Sequence, residues 1–429
     1  MTGAKVSIWG IDVGGVIWDA DRNLAVFEFD KNFAGHNIDL APITMPLDDV
    51  QSGQRIFSFP TLNEDTFHKL PGLLADSLPD HFGNQLIDLW LAQNNKSIDE
   101  FTPVQRLCYV GQRGMGALEY SPSINDKASK EDIQLAELVD IASEIVAQKK
   151  TLNTSFDADR KKALTQIIAV GTSAGGMRPK AIIALNKKDR SMRSGYLKLS
   201  GNYEHWILKF DGIQDQLLGE AQGYGKIEYI YSLMAKKCGI AMTECKLLEE
   251  NGRAHFMTKR FDRKNGEKIH MQTLCGMAHY DFNNIGSTSY EQLFYIMLKL
   301  RLGQDEMEQM FRRLVFNVVG KNQDDHTKNV SFILEKGGAW KLAPAYDLTY
   351  NFNPNAGRNT NRHQMSVRGK RTGITRSDLT ELAVQFSIKK PELIIDEVVE
   401  VFSEWRTLGK QYGVPSEKVN LIFNNLVLV

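Results

Sequence analysis

One stretch limits the fold of this 429-residue chain more than any other. "VVGKNQDDHTKNVSFILE", Val318 to Glu335, crowds two carboxylates, an imidazole, a lysine and an amide into a short loop between an apolar helix and a strand. A plain turn is made with glycine, asparagine or serine. Upstream, "EMEQMFRRLVFNVVG" sets Met307, Met310, Phe311, Leu314, Val315 and Val318 on one helical stripe, with Gly320 as its expected C′ residue. Downstream, "VSFILE" and "AWKLA" read as strands joined through Gly337-Gly338, and "PAYDLTY" then brings a further acid, Asp347. The order is helix, loop with Asp324 and Asn329, hairpin, acid.

That is the order of a protein-kinase C-terminal lobe. There a loop Asp takes the proton of the acceptor hydroxyl, an Asn five positions later holds magnesium, and an Asp beyond the next hairpin holds magnesium against the phosphates. Asp324 to Asn329 has this spacing. The chemistry needs these residue types, because Mg²⁺ is a hard cation held by a few oxygen ligands and by substrate phosphates. Alone, "QDDHTKN" is also what a hydrated turn looks like; the later Asp347 in "YDLTYNF" favours the site. His326 reads as a brace that hydrogen-bonds the loop, since zinc enzymes cluster their histidines and the nine here are scattered.

The rest of the chain sets the frame. Single cores stop growing near about 250–300 residues, so more than one is expected. Lys+Arg and Asp+Glu are both 52, which gives no global charge to draw the chain onto nucleic acid or an anionic membrane. "MTGAKVSIWGIDVGG" lacks the basic start and apolar run of a signal peptide, and no run reaches about 18 apolar residues. A cytoplasmic protein with no membrane contact is expected. Cys108, Cys238, Cys245 and Cys275 lack C-x-x-C spacing and sit in apolar patterns, as buried thiols do.

Three parts are expected: an N-terminal subdomain over 1–120, a nucleotide-binding region over 121–265, and a helical catalytic lobe over 266–429. In the first, "VSIWGIDVGGVIWDA" reads as a β-hairpin turning at Gly14-Gly15. The polar "SPSINDKASKEDIQ" is the best linker, "IQLAELVDIASEIVAQ" a helix, and the section after it a run of glycine turns and short strands.

The middle part offers groups for the other end of a nucleotide. "GTSAGGMRPK" is a glycine-rich turn with Gly175, Gly176, Arg178 and Lys180, where backbone N–H groups can approach phosphates; Gly175-Gly176 also suits a plain hairpin. "HWILKF" puts Lys209 in an apolar strand, an unusual place unless the ammonium meets an anion. The amphipathic "GKIEYIYSLMAKKCGI" carries Glu228, either its partner or a solvated side chain. In "HFMTKRFDR", the main chain from Lys259 to Phe261 is where a connection between lobes would meet adenine.

Taken in order, "SAGGMRPK", "WILKFD", "EYIYSLMAKKCGI", "KRFDR", "NQDDHTKN" and "PAYDLT" resemble the HipA family of bacterial serine/threonine kinases, the toxins of type II toxin–antitoxin modules. The likeness runs over essentially the whole chain, including "MSVRGKRTGITRSDLTELA", which resembles the family's C-terminal helical region. It implies an α+β, two-lobed protein-kinase-like fold with an additional N-terminal β-rich subdomain and a helical C-terminal lobe. It implies Asp324 as catalytic base, Asn329 and Asp347 as Mg²⁺ ligands, Lys209 on the ATP phosphates, and Ser173 as a phosphate-loop serine that members autophosphorylate. Many relatives have glycine after the base where this chain has Asp325, so the choice between the two acids stays open. The family pairs with a small helix-turn-helix antitoxin (HipB-like) and meets operator DNA through that complex, and characterised members phosphorylate a protein, an aminoacyl-tRNA synthetase. Arg358 to Arg376 holds six basic residues and no acid, which suits either a solvated face or contact with DNA or an acidic protein. An active kinase, a non-catalytic relative that keeps the fold for binding, and a kinase of a small hydroxyl substrate are the readings at issue.

Overall fold

The computed structural model describes residues 3–79, 81–124, 132–146, 158–171, 178–197, 199, 201–213, 223–354 and 360–427. The chain first builds an antiparallel sheet in the order β4-β3-β2-β1-β5, from β1 (Gly3–Ile8), β2 (Ile11–Asp19), β3 (Leu24–Phe29), β4 (Ile56–Phe57) and β5 (Leu118–Ser121). Helices α1 (Leu47–Gln51), α2 (Glu64–Phe67), α3 (Gly72–Ala75), α4 (His81–Gln93) and α5 (Pro103–Val110) lie between the strands. The first hairpin turns at Trp9-Gly10, with φ of 50° and 79°, and not at Gly14-Gly15. Two left-handed central residues make the turn whose twist suits a hairpin. Gly14 instead lies inside β2, where a Cβ would sit 2.1 Å from the Glu28 carbonyl oxygen of β3. Close strand approach, not a turn, requires that glycine.

The second sheet has the order β7-β6-β8-β10-β9, from β6 (Lys180–Asn186), β7 (Met192–Ser194), β8 (Tyr203–Lys209), β9 (Cys245–Glu250) and β10 (Arg253–Lys259). Helix α6 (Leu135–Val146) forms as expected; α7 (Ala158–Gly171) falls where turns and strands were expected. Leu164, Ile167 and Ile168 are buried at helical spacing and explain it. Helix α8 (Tyr224–Lys237) crosses β10 so closely that a Cβ on Gly225 would stand 2.0 Å from the Ala254 carbonyl oxygen. Gly225→Ala is therefore expected to cost about 1–3 kcal/mol by overpacking, read as a lower melting temperature. An unchanged melting temperature would show that α8 can shift outward freely.

A ribbon of β11 (Arg263–Lys264) and β12 (Glu267–Lys268) leads into the third part. There β13 (His270–Thr273), β14 (Ser331–Leu334) and β15 (Trp340–Leu342) make a small sheet beside α9 (Leu274–Ala278), α10 (Tyr290–Lys299) and α11 (Gln304–Val319). Helices α12 (Arg376–Gln385), α13 (Pro391–Ser403), α14 (Trp405–Gln411) and α15 (Ser416–Asn425) complete it. All six stripe residues of α11 are buried. Gly320 does not take the left-handed C′ conformation: its φ is −83°, and Lys321 takes that role at 52°. A Cβ on Gly320 would meet the Phe402 ring at 2.3 Å, so glycine is needed there for packing.

The N-terminal unit is bolted to the segment between the second sheet and the helical part. Asp262 accepts from the Gly116 N–H at 2.8 Å, Arg263 donates to the Gly114 and Gly116 carbonyls at 3.0 Å, and Trp9 Nε1 donates to the Lys268 carbonyl at 2.8 Å. Asp76 accepts from the Thr273 N–H and hydroxyl at 2.6 and 2.8 Å. The result is an α+β, two-lobed kinase-like fold with an additional β-rich N-terminal unit and a helical C-terminal lobe. The four cysteines are buried and free, and no described helix is long and apolar enough to cross a membrane.

Candidate active site

The two lobes meet at a charged cluster. Strand β8 ends in Lys209, whose Nζ donates to Glu228 Oε1 of α8 at 2.6 Å and also to Asp347. Burial of Lys209 opposes its charge, but Asp347 and Glu228 outweigh burial and hold the ammonium above its ordinary range. Asp347 responds in the opposite sense: burial would raise its pKa, yet Lys209 and Lys180 keep the carboxyl well below the usual carboxylate range. Lys180 is buried on β6, opposite Lys209 in the register of the sheet. Asp347 sits at φ 56°, a left-handed conformation that aspartate tolerates better than most residues. Such a departure is often retained where it aims a functional group.

The loop after α11 lies beside this cluster. Asn329 donates its amide N–H to the Asp324 carbonyl oxygen at 2.8 Å, which closes the loop and leaves Asn329 Oδ1 as an acceptor. Asn329 and Asp347 line the same small cavity, together with Asp325, His326 and Tyr346. The Tyr346 hydroxyl donates to the Lys328 carbonyl at 2.7 Å and so ties the residue before Asp347 to the loop.

The neighbouring acids live in different surroundings. The Asp325 side chain is 1% exposed and takes three donors: Tyr290 Oη at 2.8 Å, His363 Nδ1 at 2.9 Å and the Gln364 N–H at 2.7 Å. Its lone pairs are spent on holding the loop. Asp324 has a side chain 40% exposed, with His326 Nε2 3.8 Å away. Burial of the rest of its surroundings, and the negative charges of Asp347 and Asp325, push the Asp324 carboxyl upward against the pull of His326 and Arg178. His326 does not brace the loop by a hydrogen bond to Asp324, because 3.8 Å is too long; it packs against Phe282 at 5.5 Å between ring centroids. Asp325 and Asn329 do that work.

Other expected site residues are distributed around the cluster. Phe261 packs on Tyr346 at 5.8 Å, next to Asp347. The Lys259 ammonium is engaged by Glu204 at 2.6 Å. Arg178 stacks over the Tyr224 ring at 4.0 Å, and both line a cavity with Lys209, Glu228 and Phe256. Ser173, Gly175 and Gly176 lie outside the described residues. Tyr290, His363 and Gln364 had no sequence signal, since they reach Asp325 from 35 to 39 residues away.

The donor set can be tested against a metal. Among the described residues no three His, Cys, Asp or Glu side chains gather into a cage. Two oxygen donors, Asp347 and Asn329, on one cavity wall suit a cation that arrives with phosphate ligands and completes its shell with them.

Comparison with known proteins agrees with this architecture. The sequence matches the family described as HipA-like C-terminal domain over residues 172–405 and the HipA N-terminal domain over residues 4–121. A Sinorhizobium fredii protein named "Putative kinase Y4dM" is 24% identical over 251 residues, 55% of this chain and 58% of that protein. A Haemophilus influenzae protein named "Putative kinase" is 29% identical over 192 residues, 42% of this chain and 52% of that protein. The chain thus spans little more than half the length of the curated relatives it matches. A chain from the solved complex of the Shewanella oneidensis MR-1 toxin–antitoxin system HipA, HipB and operator DNA superposes with a TM-score of 0.66 at 16% identity, covering 98% of this chain and 95% of that one.

Proposed function

The chain belongs to the HipA family, and on that premise we propose that it is an ATP- and Mg²⁺-dependent serine/threonine protein kinase, the growth-inhibiting toxin of a toxin–antitoxin module. The observation that carries the reading is the bridge of Lys209 between Glu228 and Asp347, with Asn329 on the same cavity wall as Asp347 and Asp324 close enough to feel the Asp347 charge. Phosphoryl transfer needs little covalent help from a protein and much positioning and charge.

Lys209, held charged and fixed by Glu228, neutralises nucleotide phosphates. Asp347 and Asn329 Oδ1 would hold the cation. When bound, Mg²⁺ supplies charge neutralisation between the phosphates. Asp324 takes the proton of the acceptor hydroxyl, being the acid of the adjacent pair whose oxygens are open to a substrate. Asp325 positions the loop. Lys180, Lys259 and Phe261 belong to the nucleotide side, with Ser173, Gly175 and Gly176 of the glycine-rich sequence, and Ser173 is an autophosphorylation site.

The reading extends to partners. A small helix-turn-helix, HipB-like antitoxin would bind the chain, with operator DNA reached through that complex, and the target would be a protein such as an aminoacyl-tRNA synthetase. A net charge of zero supports the indirect route to DNA, since phosphate contacts supply most non-specific affinity. The direct test is transfer of the γ-phosphate from labelled ATP to the chain and to proteins of a cell extract, with and without magnesium. Label that appears only with magnesium supports the kinase; none with magnesium removes it.

The direction of the Asp324 shift predicts a pH profile. A base works deprotonated, so activity falls as pH drops through its pKa, and here that pKa lies above the ordinary aspartate range. The acid limb of kcat/KM should lie above that range and vanish in Asp324→Asn. A limb at or below the ordinary range would assign the base elsewhere.

A further inference from the structure

Among the described residues, the basic run from Arg362 to Arg376 separates into two groups. Arg368 pairs with Glu381 at 2.7 Å, Lys370 with Asp378 at 2.8 Å, and Arg376 with Glu392 at 2.6 Å and with Asp396. Those three charges are spent within the helical lobe. Arg362 and Arg371 have no carboxylate partner among the described residues, and Arg371 Nη2 is buried without a hydrogen-bond partner. Burial, together with the like charge of Arg362, pushes the Arg371 guanidinium below its ordinary range against the weaker pull of Asp325, which is not in ion-pair contact with it. Two arginines that disfavour one another on a protein surface are a cost unless an anion joins them.

Their placement is fixed relative to Asp324. Arg371 Nε donates to the His363 carbonyl at 2.6 Å, and the His363 N–H donates to the Arg371 carbonyl at 3.0 Å. His363 and Gln364 in turn hold Asp325, the residue next to Asp324. The Gly286 N–H donates to the Gln364 carbonyl at 3.0 Å, and a Cβ on Gly286 would press on Arg371 at 3.0 Å. The segment carrying both arginines is thus a strap locked to the catalytic loop.

We propose that Arg362 and Arg371 form a substrate-specificity site that takes a carboxylate side chain, Asp or Glu, flanking the acceptor hydroxyl of the protein substrate. This rests on the kinase reading. Bidentate guanidinium–carboxylate pairing gives direction as well as charge, which suits setting the register of a peptide across Asp324. Residues that do not touch the reacting atoms act here by orienting the acceptor.

The test uses the full chain with Mg²⁺ and ATP and a pool of Ser/Thr peptides with every flanking position permuted, read by mass spectrometry. Wild type should prefer Asp or Glu at one position by about tenfold or more, the worth of a charged hydrogen bond. Arg371→Gln should lose most of that preference. Arg362→Glu, at an exposed site, should turn the preference at the same position toward Lys or Arg, a gain that a misfolded protein cannot produce. Phosphorylated peptides without acidic preference, or a preference that survives both substitutions, would overturn the proposal. A pool left untouched, or modified only when RNA is added, by a preparation that phosphorylates itself would also overturn it. A preparation that consumes no ATP at all would instead sink the kinase reading beneath it.

Discussion

Asp347→Asn should abolish phosphoryl transfer, with a fall of about three orders of magnitude, because a metal clamp on the phosphates is worth several kcal/mol. The substitution keeps the size of the side chain and removes its charge. Lys209 would retain Glu228 at 2.6 Å, so the lobes should stay joined while the cation loses its carboxylate. The loss should appear together with loss of ATP-dependent thermal stabilisation in magnesium. Full transfer by Asp347→Asn would exclude this carboxylate as the metal ligand.

Asp324→Asn should separate binding from chemistry. Removing a general base costs about 10²–10⁴ in rate, while the contacts to phosphates and cation assigned to Lys209, Asn329 and Asp347 remain. Turnover should fall with nucleotide affinity nearly unchanged. Asp325→Asn is expected to behave differently. It disrupts a buried carboxylate with three donors and should cost about 1–3 kcal/mol of stability. If Asp325→Asn keeps its melting temperature and loses turnover while Asp324→Asn keeps it, the assignment of the two acids is reversed.

The two substitutions also mark how far the sequence could be read. The order of loop, hairpin and Asp347 was legible because it rests on local spacing and on turn residues that act within a few positions. The pairing of Lys209 with Glu228 was legible as one of two readings, since a charge inside an apolar strand needs an anion but does not name it. The difference between Asp324 and Asp325 was not legible. Adjacent identical residues are told apart only by Tyr290, His363 and Gln364, which folding brings in from the start of α10 and from the strap.

The fold itself shows the same division. Amphipathic α8 and α11 were clear from periodicity, and the α11 stripe is buried as expected. The first hairpin was expected at Gly14-Gly15 because two glycines outweigh Trp-Gly as a turn signal, whereas tight approach of β3 is what uses Gly14. Gly320 misled for the same reason, its hydrogen being needed by Phe402 and not by the helix end. A glycine records that space or conformation is scarce without recording which. Helix α7 was missed because the glycine-rich sequence after it drew the reading toward turns.

The central claim is that Lys209, Asn329 and Asp347 form one site for a nucleotide carried with its cation, and a calorimetric titration of the wild-type chain with ATP tests it most directly. Titrated with magnesium present, the chain should show saturable binding at a single site. Removing the cation with a chelator should abolish that binding, because phosphates and Asp347 then repel one another. Saturable ATP binding of equal strength with and without magnesium, or none with ATP in excess and magnesium present, would contradict the account.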